Sequence, residues 1–469
     1  MNLLDASRDP NLFAPWFRDP ETWTAWRAFL AALFALPMTD GEAEAYQRHT
    51  GRETAPEAPQ DEAWLIVGRR GGKSFVMALI AVYLGCFRDY RAHLQPGERA
   101  TVMVIAADRR QARVILRYIG GLLHNVAMLK AMVQRETAEA FDLSNAVTIE
   151  VGTASFRTTR GYTYAAVLAD EIAFWRTDDA AEPDYAILDA VRPGMASIPG
   201  SVLLCASSPY ARRGALWEAF KRHWAKVDGP LVWRATTRDM NPTIRQSIID
   251  RALERDHASA SAEYLAEFRR DIEAFVSLEA VEACVSASVL ERPRVSGKAY
   301  RAFVDPSGGS ADAMTLAIAH KEGEVVVLDA VRERKPPFSP EAVVAEFAKT
   351  IKAYGLASVT GDRYAGEWPR EQFRKHGIRY DLAEQTRSDL YRDLLPALNS
   401  GAVDLLDHRP LVSQLVGLER RVARGGKESI DHAPGGHDDV ANAVAGAVVG
   451  LLAARPKPET RTHAVLGGY

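Results

Sequence analysis

Residues 63–76 read AWLIVGRRGGKSFV, and this stretch decides the fold of the first half of the chain. Its apolar residues 65–67 fit a buried strand, glycines follow, and helical spacing resumes at Phe75. Strand, glycine loop and helix in this order are typical of a phosphate-binding loop, where backbone N–H groups and the positive helix end face phosphate oxygens. The residues expected to hold nucleotide here are Gly68, Gly71, Gly72, Lys73 and Ser74.

Two loop residues have specific expected roles. Lys73 reaches the β and γ phosphates of ATP, and the Ser74 hydroxyl ligates Mg²⁺. The standard spacing places a glycine at the position of Val67, whereas here the glycine follows one residue later. A glycine-rich turn that precedes a Lys-Ser pair without binding phosphate is therefore the alternative.

Polar residues follow two later apolar runs. The run 165–169 ends in Asp170 and Glu171, expected to hold the Mg²⁺ shell and to activate the attacking water, respectively. Ser207 follows a further run and lies where ligands bind in open α/β sheets. Gln47 is a candidate for reading adenine, with a solvated glutamine as the alternative. The alternation of strands and helices predicts a mostly parallel sheet covered by helices.

Composition bounds the function classes. With 469 residues the chain has room for two to three domains, and its net charge of −3 means that nucleic-acid binding needs a local basic face. Such a face is predicted at Arg109, Arg113 and Arg117, which share one side of a helix and either track phosphates or are simply solvated. Three scattered cysteines without a CxxC pair favour a reducing, cytoplasmic setting and no zinc site. No signal peptide or membrane span is expected.

A second set of acids occurs in the second half of the chain. Asp305 and Asp362 each close a predicted strand, and Asp438-Asp439 open a helix. Three separated carboxylates of this kind suit a nuclease on a mixed sheet that holds two Mg²⁺ or Mn²⁺ ions roughly 3.5–4 Å apart. The sequence leaves open whether Asp438 or Asp439 is the third ligand, and whether His437 assists or is structural.

The expected domain order follows from these assignments. It comprises a helical region 1–60, an ATPase core 61–235, a helical linker or lid 236–292, a nuclease 293–455 and a flexible tail 456–469, with the polar stretch 286–297 as the boundary.

The chain resembles the large terminase subunit of tailed bacteriophages. The resemblance extends from about Phe34 to Leu452 and rests on the order and spacing of six motifs. These are VGRRGGKS at 67–74, VLADE at 167–171, SSP at 207–209, FVDPSGG at 303–309, GDRYAG at 361–366 and HDDVANA at 437–443.

The resemblance implies an α/β fold with an N-terminal P-loop ATPase of the additional-strand type and a C-terminal RNase H-like nuclease. It implies ATP with Mg²⁺, and Mg²⁺ or Mn²⁺ in the nuclease site. The implied partners are double-stranded DNA, a portal protein and a small terminase subunit. A monomer in solution would form a homo-oligomeric ring on the portal of the procapsid in the host cytoplasm. A loop that carries arginine is a common variant in these motors.

Arg69 and Arg70 lie within the loop, near the phosphates where charge shifts during hydrolysis. One of them is expected to act as an arginine finger in cis, because a guanidinium donates two hydrogen bonds to a phosphate. Outward-facing arginines are one alternative, and Arg157 or Arg160 acting on a neighbouring subunit is another.

The expected function is ATP-driven packaging of viral DNA with metal-dependent cutting of concatemers. A helicase-like or repair ATPase fused to a nuclease is the competing interpretation. A capsid assembly protein with decayed sites is disfavoured because Lys73, Asp170, Glu171, Asp305 and Asp362 are intact.

Overall fold

A computed structural model of the chain describes residues 1–155, 161–176, 180–310, 312–362, 367–422 and 428–452. These residues form two compact units, one built mainly from Met1–Glu273 and the other mainly from Ala274–Arg420 and 428–452. The division falls earlier than the polar stretch 286–297, because Val285–Ser286 forms a strand that pairs with a later strand of the second unit.

The first unit is an eight-stranded sheet with helices on both faces. Its strands are β1 Glu62–Val67, β2 Ala100–Ala106, β3 Val133–Glu136, β4 Ala140–Leu143, β5 Val147–Thr153, β6 Thr163–Asp170, β7 Val202–Ser207 and β8 Leu231–Ala235. Its helices are α1 Leu3–Arg8, α2 Thr24–Phe34, α3 Asp40–Thr50, α4 Lys73–Phe87, α5 Arg109–Asn125, α6 Ala127–Met132, α7 Pro183–Met195, α8 Gly214–His223, α9 Thr237–Met240, α10 Gln246–Arg255 and α11 His257–Leu265.

The strand order in this sheet is β3-β4-β5-β2-β6-β7-β1-β8. Strand β7 lies between β1, which leads into the glycine loop, and β6, which ends in Asp170, and it pairs in parallel with both. This inserted strand defines the additional-strand type of P-loop fold, so that prediction is confirmed. Alternate residues of β1 enter opposite cores: Leu65 packs with α2 and α4 on one face, and Ile66 with α7 and α8 on the other.

The second unit contains a seven-stranded mixed sheet in the order β10-β16-β13-β12-β11-β14-β15. Its strands are β10 Val285–Ser286, β11 Tyr300–Asp305, β12 Met314–Glu322, β13 Val325–Arg334, β14 Ser358–Gly361, β15 Arg379–Leu382 and β16 Val403–Leu406, with β9 Ile272–Ala274, β17 Leu418–Val422 and β18 Glu428–His432 outside it. Its helices are α12 Leu278–Glu282, α13 Pro340–Ala353, α14 Trp368–Lys375, α15 Arg387–Ser400, α16 Arg409–Gly417 and α17 Asp439–Leu452.

Five of these strands form an RNase H-like core. Strands β11, β12 and β13 make an antiparallel meander, and β14 and β15 join the other side of β11 in parallel. The predicted RNase H-like fold is therefore confirmed. Val304 pairs with Gly361 in the β11–β14 ladder, so Asp305 and Asp362 follow neighbouring parallel strands at the same edge. Helix α17 packs on β11, β12 and β13 and carries Asp439 at its first turn.

The apolar stretch near residue 440 forms α17, which is buried along most of its 14 residues. Within the described ranges, no helix is long and apolar enough to cross a bilayer.

Candidate active sites

The glycine loop brings Lys73 to the first residue of α4, where its side chain is buried. The Lys73 ammonium donates to the carbonyl oxygen of Val67 at 2.9 Å and lies 3.3 Å from the Glu171 carboxylate. A buried ammonium needs such partners, since desolvation without them is costly. Lys73 and Glu171, predicted from separate motifs, therefore lie in one site.

Asp170 is fully buried at the end of β6. Its Oδ2 accepts hydrogen bonds from the Gln111 amide at 2.7 Å and from the Ser74 hydroxyl at 3.3 Å. Its Oδ1 has no hydrogen-bond partner among the described residues. Burial, followed by the adjacent Glu171 charge, raises the pKa of Asp170 to about 6. A buried carboxylate with one free oxygen beside a serine hydroxyl fits a hard divalent cation such as Mg²⁺.

Glu171 adopts a left-handed backbone conformation with φ of 50°. Its carboxylate accepts from the Ser207 hydroxyl at 3.0 Å, and from the backbone N–H and hydroxyl of Ser208 at 3.1 Å and 3.3 Å. Because β7 lies next to β6, its terminal serines reach the acid that follows β6. These bonds fix the carboxylate in one orientation while Lys73 approaches from the loop.

The two loop arginines are exposed. The Arg69 guanidinium pairs with Glu263 of α11 at 3.0 Å. The carbonyl oxygen of Arg69 accepts from the Thr237 hydroxyl at 2.8 Å, and that of Arg70 accepts from the Asn241 amide at 3.0 Å. Residues 237–263 thus hold the outer side of the loop. Arg157 and Arg160 lie outside the described residues.

The loop glycines are needed for close approach. A Cβ on Gly68 would overlap Thr237, and Gly72 has φ of 101° with the Trp26 indole nitrogen 3.2 Å from where a Cβ would lie. Trp26 also donates from its indole to the Gly71 carbonyl at 2.9 Å. Helix α2 therefore supports the inner side of the loop, a role that the sequence alone assigned only to core packing.

A cavity of about 470 Å³ opens beside Gly71 and Gly72. Trp16, Trp23 and Trp26 give it aromatic walls, and Arg18, Asn241 and Thr243 are among its polar groups. Gln47, the sequence candidate for reading adenine, is exposed on α3 and donates to the Glu53 carbonyl at 3.1 Å. The cavity offers the flat apolar surface and edge polar groups that a purine ring needs.

The second site lies at the carboxyl edge of β11 and β14. Asp305 accepts from the Asn442 amide at 2.8 Å. Burial raises the pKa of Asp305 to about 8, and the nearby charges of Asp439, Asp362 and Asp438 act in the same direction. Carboxylates that repel one another in a buried cluster are stabilised by a shared divalent cation. The donor set therefore fits Mg²⁺ or Mn²⁺.

Asp438 and Asp439 have different environments. Asp438 is buried and accepts from Arg387 and from the Tyr391 hydroxyl, each at 2.9 Å. Asp439 is half-buried and accepts from the Ala313 N–H at 3.3 Å. Burial and the Asp438 charge raise the pKa of Asp439 to about 6. Asp439 thus retains more capacity to bind a metal, whereas Asp438 already has a cationic and a hydroxyl partner.

Asp431, His432 and Asp438 also have ligand atoms within 4.8 Å of one another. Arg387 pairs with both carboxylates of this set, so its guanidinium already supplies the positive charge there. His437 is exposed at the start of the α17 region.

The approach of α17 to β11 depends on a glycine. An added Cβ on Gly446 would overlap the ring of Phe303, which lies two residues before Asp305 on β11. Gly446 therefore lets the helix that carries Asp439 and Asn442 lie against the strand that carries Asp305.

Five side chains in these sites were not predicted: Gln111, Ser208, Arg387, Tyr391 and Asn442. Asn442 follows Asp439 by three positions, which places both on one helical face, so spacing alone was a usable signal. Gln111 lies on the core side of α5, but no sequence pattern connects it to Asp170. Arg387 and Tyr391 reach Asp438 only through the packing of α15 on α17.

No protein-family model and no curated protein matches the chain. Among solved structures, it is similar to the large terminase of bacteriophage HK97, with 17% identity over 92% of this chain and 95% of that chain and a TM-score of 0.39. It is also similar to the full-length large terminase of a thermophilic bacteriophage, with 12% identity, coverage of 86% and 96%, and a TM-score of 0.35. The large terminase nuclease of thermophilic phage G20c matches 36% of this chain over 95% of its own length, with 16% identity and a TM-score of 0.32. These are distant likenesses, and the fold assignment rests on the two strand orders.

Proposed function

We propose that the chain is the large subunit of a viral DNA-packaging motor, in which ATP hydrolysis drives duplex DNA into a procapsid and a nuclease cuts the concatemer. The observation that carries this is the presence in one chain of two acid-centred sites, the Lys73–Asp170–Glu171 site on an additional-strand sheet and the Asp305 cluster on an RNase H-like sheet. The motif order from 67 to 443 supports the same assignment.

In the ATPase site, Lys73 neutralises the β and γ phosphates, and Ser74 and Asp170 hold the metal shell. Mg²⁺, when bound, stabilises charge on the phosphate oxygens. Glu171, oriented by Ser207 and Ser208, accepts the proton of the attacking water. Trp23 and the neighbouring cavity walls hold the adenine base, in preference to Gln47.

In the nuclease site, we assign Asp305, Asp362 and Asp439 as metal ligands. Two bound Mg²⁺ or Mn²⁺ ions activate water and stabilise the leaving oxygen of the phosphodiester. Asn442 orients Asp305, and Arg387 with Tyr391 keeps Asp438 in place beside Asp439. Asp438 is then a positioning residue and not a direct ligand.

The wider assignments belong to the same proposal. They comprise the domain order from ATPase core through lid to nuclease, binding to a portal protein and a small terminase subunit, and a monomer that forms a ring on the procapsid in the host cytoplasm.

The test is incubation of the full chain with supercoiled plasmid and Mn²⁺, with and without ATP, alongside ATPase assays with linear duplex DNA. A packaging motor nicks or linearises plasmid with little sequence preference, and its ATPase is stimulated by duplex DNA. Its DNA affinity falls steeply with salt because phosphates dominate the contact. ATP-dependent strand separation without cleavage would instead support the helicase-like alternative, and absence of both activities would overturn the proposal.

A further inference from the structure

Helix α5 has an exposed face made of arginines. Arg109, Arg110, Arg113 and Arg117 are all exposed, and the 17-residue helix contains no Asp or Glu. At 100° per residue, the four side chains leave the helix within a sector of about 100°. They extend over about 12 Å along the helix axis. We call this set the α5 arginine face.

The charges of this face are not neutralised within the described parts of the chain, where none of the four arginines forms an ion pair. Other exposed arginines of the same unit do have carboxylate partners: Arg192 pairs with Glu62, and Arg222 pairs with Glu218. The nearest acid in sequence, Asp108, accepts from the Gln111 N–H at 2.8 Å as the helix cap. Since the chain as a whole carries a net charge of −3, this concentration of unpaired positive charge is local to α5.

The opposite side of α5 faces the sheet. Ile115, Ile119 and Leu122 are buried there. One turn before Ile115, Gln111 extends toward the end of β6 and donates its amide N–H to Asp170 at 2.7 Å. One rigid helix thus carries the arginine face outward and a direct contact with the ATPase metal-site carboxylate inward.

We infer that the α5 arginine face contacts the phosphates of duplex DNA and that Gln111 transmits this contact to Asp170, which couples DNA binding to ATP hydrolysis. The inference rests on the proposed motor function and assigns one of its DNA contacts. Guanidinium groups bind phosphate through paired hydrogen bonds without reading base sequence, as a motor that moves along any DNA requires. A shift of α5 under load alters the Gln111–Asp170 bond because both groups are otherwise held by packed elements.

The test uses the triple variant Arg110→Ala/Arg113→Ala/Arg117→Ala of the full chain and, as a matched control, Arg245→Ala/Arg251→Ala/Arg255→Ala. The control removes the same charge from exposed positions of α10 and its N-cap, where Asp250 and Glu254 are interspersed. Affinity for a duplex of random sequence is measured between about 50 and 200 mM salt, together with ATPase stimulation by that duplex. Thermal melting checks that both variants fold.

We expect the α5 variant to lower the slope of log affinity against log salt by about 2–3, because each lost phosphate contact removes about 0.9. The DNA concentration for half-maximal stimulation should rise about tenfold or more, while the α10 control stays within about twofold of the parent on the same scale. A salt slope equal to the parent's in the α5 variant, or an equal loss in the control, would overturn the assignment of the face.

The coupling role of Gln111 has a separate readout. Gln111→Ala should keep the parent's DNA affinity and salt slope but lose most of the DNA stimulation of ATPase. Retained stimulation would refute the coupling. If the parent chain itself binds no DNA, the proposed function fails; if the parent binds and the α5 variant matches it, only the present inference fails.

Discussion

The Lys73 ammonium and the Glu171 carboxylate form an ion pair of 3.3 Å beside the carboxyl end of β7, although the two residues come from different motifs. Each is also held by a second contact, Lys73 by the Val67 carbonyl and Glu171 by the β7 serines. The expected phosphate ligand and the expected water-activating base are therefore already oriented toward a common point.

Glu171→Gln should reduce ATP turnover by about 10²–10⁴-fold because the amide cannot accept the water proton. Nucleotide affinity should change little, since the loop and Lys73 are intact. Lys73→Ala should lose both affinity and turnover, and plasmid cleavage should persist in both variants. Steady-state ATPase and nucleotide titration measure these effects, with exposed Glu139→Gln as the control. Near-parental turnover in Glu171→Gln would remove Glu171 from the mechanism.

Asp305→Asn and Asp362→Asn should each abolish plasmid cleavage while leaving ATPase activity at the parental level. Each change removes a carboxylate at the shared edge of β11 and β14, and the neutral amide is a weaker ligand for Mg²⁺ or Mn²⁺. The control is Asp393→Asn, an exposed acid of the same unit on α15. Cleavage by Asp305→Asn at saturating Mn²⁺ would contradict the two-metal assignment.

The two acids at the start of α17 should respond differently to the same substitution. Asp439→Asn is expected to lose cleavage with little change in melting temperature, as for a metal ligand. Asp438→Asn is expected to lower the free energy of unfolding by about 1–3 kcal/mol, because Arg387 and Tyr391 lose their charged acceptor. Thermal melting and Mn²⁺ titration of cleavage separate the two, and the reverse pattern would exchange their roles.

Arg69 can serve as a finger only after it leaves Glu263. If it is the finger, Arg69→Ala should lower turnover by about 10³-fold with little loss of ATP affinity. Glu263→Gln should then not lower turnover, since it frees the guanidinium. The same measurements on Arg70→Ala test the other candidate. Turnover within a few-fold of the parent in both arginine variants would reject a cis finger and direct attention to Arg157 and Arg160.

Trp23→Ala should weaken ATP affinity by about 5- to 150-fold if the base stacks in the cavity beside Gly72, on the basis of about 1–3 kcal/mol per base–aromatic contact. ATP should also quench the tryptophan fluorescence of the parent protein, and Lys73→Ala should shift that titration to higher ATP concentration. Gln47→Ala serves as the comparison. A larger loss of affinity in Gln47→Ala than in Trp23→Ala would restore Gln47 as the adenine contact.

The sequence was most informative where chemistry occurs at the ends of regular elements. Lys73, Asp170, Asp305 and Asp362 follow apolar runs or glycines whose periodicity is visible in the chain, and both predicted folds are confirmed by the strand orders. The β3–β4 hairpin was missed because its strands are short, four residues each, and partly exposed. Such strands lack a strong alternating pattern.

The side chains that hold these acids were not predictable in the same way. Gln111 reaches Asp170 from a separation of 59 positions, and Tyr391 reaches Asp438 from 47. Their positions follow from how α5 and α15 pack, and a polar residue on a helix carries no signal of the element that it will meet. The choice between Asp438 and Asp439 also required these contacts.

The closeness of α17 and β11 at Gly446 means that the spacing of the catalytic carboxylates is set by an apolar contact about two helical turns away from them. Adding one methyl group there would require α17 to move outward from the Phe303 ring, and Asp439 and Asn442 would move with it relative to Asp305. Overpacking of this kind costs about 1–3 kcal/mol in stability. Its greater effect would be on metal coordination, which tolerates only a few tenths of an ångström. Gly446 thus acts as a spacer gauge for the nuclease, and a chemically silent position in the core determines whether its acids can share a metal.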